Sequence, residues 1–389
     1  MTAIINGKIV TPEDIMEDKV LLLGGDRILG VTDGIPDADR IIDANGGYIL
    51  PGFIDIHSDR IEQCILPRPT SMLDFELALK ECESELLHLG ITTMYHSLTL
   101  YKDEFFGKSP IRTKENVKKL AGLIGNIHNR SHLIRHRFHL RIEIDNFEAY
   151  DIARAMIESG QVHEISFMDH TPGQGQYRNL EIYQKTISSY QGREVANRSF
   201  EEILEYHRGK ETLSLEQLRE LAELAHAHGI AVASHDDDTV EKLELNERLG
   251  VDICEFPITI ETAKAAHEKG LFTVVGAPNI LLGGSHSGNM SAAEAIQEGC
   301  ADIICSDYYP PAILHGIFIM AERYGISLSD MVNKATLHPA RAMKIDGDYG
   351  AVERGKKADL LVVEVLDGYP VITHVLVDGR VTAQVAYRR

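Results

Sequence analysis

A (β/α)8 TIM-like barrel with a small β-sandwich domain built from both chain ends is the α/β fold class that the sequence predicts. Three features carry the expectation. Both ends of the chain read as short strands separated by turn dipeptides, the middle repeats a helix–glycine–strand unit at roughly 20 to 30 residues per strand, and metal-ligating side chain types follow several of those strands.

Among the first fifty residues, 3–5, 8–10, 20–23 and 28–31 are apolar runs set apart by Asn6-Gly7 and Gly24-Gly25-Asp26, which read as turns. The last forty repeat the style, with runs at 359–365 and 371–377 and Asp378-Gly379 as a hairpin signal before 381–386. Residues 1–52 and 347–389 are therefore expected to form the small domain and 53–346 the barrel. Within the barrel, Ser214-Leu-Glu-Gln217 is a capping box opening a helix with Leu218, Leu221, Ala222 and Ala225 on one face. Gly229 closes that helix, and a strand over 230–234 leads to His235. The same unit recurs at 74–97, 263–276 and 292–306.

The composition bounds the function. The 389 residues are 44% apolar and 25% charged, ordinary for a globular enzyme, and no run approaches the roughly 18 to 20 apolar residues of a membrane span. A formal charge of −20 repels nucleic acid and anionic membrane surfaces, so an anionic substrate has to be held by local cations or metal. The N-terminus lacks the basic and apolar regions of a secretory signal, which makes the cytoplasm the expected compartment. Cys64, Cys82, Cys254, Cys300 and Cys305 are scattered without a C-x-x-C pair, as expected of reduced cysteines in or near the core. Assembly into a homo-oligomer stays open.

Chemistry concentrates where strands end. Pro51-Gly-Phe-Ile-Asp55-Ile-His57-Ser-Asp59 is an apolar strand finishing in His-x-Asp, and alternation would place His57 and Asp59 on one side with Ile56 and Ser58 pointing away. Four more ends carry Glu143, His170, His235 and Asp307. Imidazole and carboxylate without thiolate suit a divalent metal, one ion or two, with zinc first and manganese or iron next. Asp55 reads equally as a backbone partner, Asp169 as an orienting neighbour of His170, and Asp236 to Asp238 as a turn leading into the helix over 239–249. His128, His132, His136, His207, His226, His228, His267 and His374 read as surface residues in helices or loops.

These residues resemble the amidohydrolase superfamily, in its first-strand metal motif and in the returning strand Gly355-Lys-Lys-Ala-Asp359-Leu-Leu-Val-Val363. More narrowly, His57-Ser-Asp-Arg-Ile-Glu62, Pro67-Arg68-Pro69, Met168-Asp-His170-Thr-Pro-Gly-Gln174, Ser234-His-Asp-Asp237, Gly276-Ala-Pro-Asn279, Gly283-Gly-Ser-His286-Ser-Gly-Asn289 and Ser306-Asp-Tyr308 resemble the PhnM family of phosphonate breakdown. That resemblance implies release of pyrophosphate from α-D-ribose 1-methylphosphonate 5-triphosphate by metal-activated water. It implies a metal set of His57, Asp59, Glu143, His170, His235 and Asp307, with Asp307 also the proton acceptor. Asp59 stands where superfamily members more often have a second His, and Gly175 where family members commonly have Arg.

For the triphosphate, the expected contacts are Arg60, Arg68 and Arg178, with Gly284, Ser285, His286, Ser287 and Asn289 in a glycine-rich loop whose N–H groups can approach phosphate closely. Pyrophosphate leaves readily once neutralised, so cations serve it better than a strong acid. The competing expectation keeps the same metal site and hydrolyses a C–N bond, as in a deaminase, deacetylase or cyclic amidase.

Overall fold

Strands from the two chain ends pair with one another in the computed structural model, which describes residues 1–100, 109–169, 211–284 and 289–388. β1 (Thr2–Val10), β2 (Ile15–Gly24), β3 (Arg27–Thr32), β4 (Arg40–Asp43) and β5 (Tyr48–Pro51) come from the N-terminus. β14 (Leu360–Leu366), β15 (Tyr369–Val377) and β16 (Arg380–Gln384) come from the C-terminus. They make one mixed sheet in the order β16-β15-β14-β5-β1-β2-β3, with β4 alongside β1. Its apolar face gathers Ile4, Ile9, Leu21, Ile49, Leu360 and Val362 from four strands into one core.

Asn6-Gly7 is not the turn its composition suggests. β1 runs through it as one strand, with register shifts against β2 on either side of Gly7. Asn6 takes φ 54°, and a Cβ on Gly7 would stand 2.6 Å from Ile49 Cδ1, so the dipeptide makes a bulge that the underlying core requires.

The middle of the chain forms the barrel. β6 (Phe53–Ser58), β7 (Ile91–Leu100), β8 (Arg135–Glu143), β9 (Glu164–Met168), β10 (Ala231–His235), β11 (Ile253–Glu255), β12 (Phe272–Gly276) and β13 (Ile303–Cys305) lie side by side in chain order. Each pairs parallel with the next. The circle closes between last and first strand through the Ser58–Asp307 bridge. Small and branched residues such as Ile54, Ile56, Ala231, Ala233, Val274 and Ile303 pack together as one cluster, while Leu140, Ile142, Val232 and Val275 join the larger core shared with the helices. That two-sided burial explains why the strands read as continuous apolar runs.

Local signals set the helices between the strands. Asp74 caps the helix Phe75–His88 by accepting from the N–H groups of Glu76 and Leu77, both at 3.0 Å. Ser214 and Gln217 form the expected capping box of the helix Leu215–Ala227. The helix Val240–Leu249 is capped by Thr239, whose side chain accepts from Lys242 N–H. Asp237 instead is a buried hub, accepting from Ser234 Oγ at 2.5 Å and Asn246 Nδ2 at 2.9 Å. All five cysteines are free and four are buried, Cys64 being partly exposed. Among the described residues no helix is long and apolar enough to cross a membrane.

Candidate functional site

His57 and Asp59 come together, though not by simple alternation. β6 is irregular between Asp55 and Ser58, all six of its residues are buried, and it stops at Ser58, so Asp59 already belongs to the entry of the helix Arg60–Ile65. What holds the pair is the last strand: Asp307 N–H donates to the His57 carbonyl (3.0 Å) and Asp59 N–H to the Asp307 carbonyl (2.8 Å). Ser58 does not point to solvent either; its hydroxyl meets Ser306 Oγ at 2.7 Å. Asp55 accepts from Ser306 N–H at 3.1 Å, the backbone role open to it from sequence. Burial pushes its carboxyl up to about 6.

Three strands end on a residue in the left-handed region. Asp236 (φ 55°), Phe256 (φ 52°) and Asp307 (φ 53°) follow β10, β11 and β13, turning the chain sharply where His235, Glu255 and Asp307 present their side chains. Such conformations carry strain for residues with a Cβ and persist where the surroundings over-determine them.

At the centre His57 Nδ1 lies 2.6 Å from Glu255 Oε1, both side chains fully buried. A carboxylate accepts only, so His57 Nδ1 is the donor and Nε2 keeps its lone pair. Burial raises the Glu255 carboxyl, but the imidazoles of His57, His139 and His235 outweigh it and hold it at about 2. Burial alone would lower the affinity of His57 for a proton; Glu255 more than reverses that. The His57 and His235 rings lie 5.4 Å apart, with Phe256 about 5 Å from each.

Arg141 is the cation of this centre. Its Nη1 donates to Asp59 Oδ1 at 3.0 Å and its Nη2 stands 3.4 Å from His235 Nε2. Against burial, Arg141 holds the Asp59 carboxyl below its ordinary range. Asp307 goes the other way, raised by burial and by Asp59. Glu143 ends β8 as a buried carboxylate, near enough to strengthen the proton affinity of both Arg141 and Arg112 against burial. Arg112 is itself bidentate on Glu62 (2.9 and 3.0 Å).

His57, Asp59, Glu143, His235 and Asp307 thus stand at the ends of the first, third, fifth and eighth barrel strands or directly after them. His170, Arg178, Ser285, His286 and Ser287 lie outside the described residues. The remaining expected phosphate contacts are occupied elsewhere or lie in turns. Arg60 donates to Glu85 (2.7 Å) and Gln63 (2.9 Å), and Arg68 sits in an exposed turn bridged to Ser71. Gly284 spends its N–H on the Asn279 carbonyl at 3.1 Å, ending a helical turn, while Asn289 is partly buried beside Met290. His136 is not a surface residue: it is buried in β8, donating to or accepting from His96 (2.8 Å) and Glu83 (3.1 Å).

Sequence reasoning missed Glu255 and Arg141. For Arg141 the signal was present, because alternation along β8 places His139, Arg141 and Glu143 on one face. The donor set fits a divalent cation. His57, His235 and Glu255 each offer a ligand atom within 4.8 Å of the others, all three are buried, and Glu255 Oε2 has no hydrogen-bond partner.

An eight-stranded parallel barrel with such a centre at its strand ends defines a barrel hydrolase. A model of the amidohydrolase family matches residues 194–382. N-acetylglucosamine-6-phosphate deacetylase from Pasteurella multocida superposes with TM-score 0.64 at 13% identity, covering 97% of this chain and 98% of that one. L-Hydantoinase from Arthrobacter aurescens gives 0.63 at 16% identity, over 98% and 96%. Over 380 residues the chain is 31% identical to the α-D-ribose 1-methylphosphonate 5-triphosphate diphosphatase of Escherichia coli strain K12, covering 96% of this chain and 98% of that protein. The chain belongs to the PhnM family of the amidohydrolase superfamily and is a metal-dependent hydrolase.

Proposed function

We propose that the chain releases pyrophosphate from α-D-ribose 1-methylphosphonate 5-triphosphate. The observation that carries this reading is the identity to the diphosphatase over nearly the whole of both chains. The site's charge supports it: two guanidiniums, Arg112 and Arg141, stand among the carboxylates of the centre, fixed cations that a small neutral amide does not require. The proposed metal ligands are His57, Asp59, Glu143, His170, His235 and Asp307, with zinc the first candidate on ligand type.

When bound, the ion supplies positive charge to phosphate oxygens and lowers the pKa of water. Glu255 keeps His57 in the tautomer that leaves Nε2 open towards the centre. Arg141 holds Asp59 in place and offers its remaining N–H groups to a phosphate oxygen. Asp307, raised by burial and by Asp59, accepts the proton of the attacking water and later passes it on. Arg178 and the loop over 284–289 remain further proposed phosphate contacts.

Pyrophosphate release by the metal-reconstituted enzyme, run beside an ammonia-release screen of amides and nucleobases, tests the proposal. Pyrophosphate is the expected product. Ammonia without pyrophosphate would move the function to C–N hydrolysis on the same centre.

A further inference from the structure

Beneath the centre just described, towards the barrel interior, three carboxyl groups are buried with too few partners. Asp55, Glu164 and Glu255 are each 0% exposed, and no Lys or Arg forms an ion pair with any of them among the described residues. Asp55 Oδ1 has Ser306 N–H and Glu255 Oε1 has His57 Nδ1, but Asp55 Oδ2, Glu255 Oε2 and both oxygens of Glu164 make no hydrogen bond. Buried polar groups are nearly always paired, and four such oxygens in one place need a cause.

A proton on Glu164, favoured by burial beside Glu255 and Asp55, settles one of its oxygens at most and leaves its other oxygen and Asp55 Oδ2 as they were. A cation answers all the exposed lone pairs together. His139, fully buried on β8, stands beside them with Nδ1 3.5 Å from Glu164 Oε2. One ligand atom each from His139, Glu164 and Glu255 lies within 4.8 Å of the others, a spread that small side-chain adjustments bring to coordination distance. Ser166 Oγ, 2.9 Å from Nε2, can take the proton of that nitrogen, and the Nδ1 lone pair, now 3.1 Å from Ser97 Oγ, goes to the ion once that hydroxyl turns away. The Ile56 carbonyl oxygen, 3.2 Å from Nδ1, is then available as a further ligand.

We infer that His139, Glu164 and Glu255 form a second divalent-cation site, deeper in the barrel than the centre at the strand ends and joined to it by Glu255. One oxygen of Glu255 orients His57 and the other serves the deeper ion. One imidazole nitrogen with carboxylate oxygens suits zinc or manganese, and full burial makes its exchange slow.

The test counts zinc per chain by elemental analysis in zinc-reconstituted, desalted protein, comparing the natural chain with Glu164→Gln and His235→Ala. Expected are about two ions in the natural chain and about one in each variant. The ion left in His235→Ala should resist a chelator that strips the one left in Glu164→Gln. An unchanged count in Glu164→Gln overturns the inference. If that variant does not fold, the natural chain decides: a single ion, fully removed by chelator, overturns it as well. Cobalt substitution adds a spectroscopic check, since Glu164→Gln should lose one set of visible bands while His235→Ala loses the other; identical spectra in the natural chain and Glu164→Gln count against the site. Counting ions needs no substrate, so failure here leaves pyrophosphate release standing, and failure of that activity leaves the count unaffected.

Discussion

His57 Nδ1 donates to Glu255 Oε1 across 2.6 Å, joining the first and sixth barrel strands in a contact where neither side chain reaches solvent. Glu255→Gln keeps the shape but offers His57 either an N–H or an uncharged oxygen. Orienting partners of this kind are worth about 10- to 100-fold. Glu255→Gln should lower kcat by that order with an unchanged circular dichroism spectrum; wild-type kcat would show that the contact does not set the tautomer.

Removing Arg141 leaves the half-buried Asp59 carboxylate without its guanidinium. Arg141→Ala should raise KM for the triphosphate and lower kcat/KM by about 100-fold, consistent with about 3 kcal/mol for a lost charge-assisted contact. Arg141→Lys should recover part of it. Equal kcat/KM in Arg141→Ala and the natural chain would remove Arg141 from the site.

Asp307→Asn removes the proposed proton acceptor while its backbone bonds to His57 and Asp59 remain. Turnover should fall by at least about 10²-fold, the lower range for a general base, with the melting temperature nearly unchanged. Full activity in the purified variant would displace Asp307 from that role, and His235→Ala should be equally damaging.

Glu83 gives a pH prediction remote from the barrel mouth. Burial would raise its carboxyl, but His136, Lys80 and the Leu133 N–H hold it at about 2, below an ordinary value near 4.5. A depressed folded-state value stabilises above the unfolded pKa, and that contribution is lost as pH falls from about 4.5 towards about 2. Glu83→Gln should cost on the order of 2 kcal/mol at pH 7 and flatten the acid limb of a denaturation curve. Parallel acid limbs would show that Glu83 has no depressed pKa.

Much of this was legible from composition and spacing. Barrel strands revealed themselves because burial on two faces leaves apolar runs, and His235 and Asp307 stood out as the first polar groups after such runs. Glu255 did not, because β11 is three residues long and offers no pattern to end. His136 was read as a helix or loop residue, but β8 already begins at Arg135, whose guanidinium pairs with Asp359 and Asp378 at the edge of the small sheet's strands. Asn6-Gly7 has the composition of a turn, and only the packing of Ile49 against Gly7 makes it a bulge. Arg60 and Gly284 carried motif likeness, yet nearer partners, Glu85 and the Asn279 carbonyl, claim their N–H groups.

The bonds that close the barrel are made by the backbone of the residues proposed to do its chemistry: Asp307 with His57, and Asp59 with Asp307, across 250 positions of sequence or nearly so. Contacts of such separation carry a loop-closure cost that has to be met before they stabilise anything. Closure and competence are therefore one event. A chain paused with its last strand undocked would hold most of its secondary structure and none of its assembled centre, and the exchange rates of the Asp59 and Asp307 amides would report directly on the fraction of molecules able to turn over.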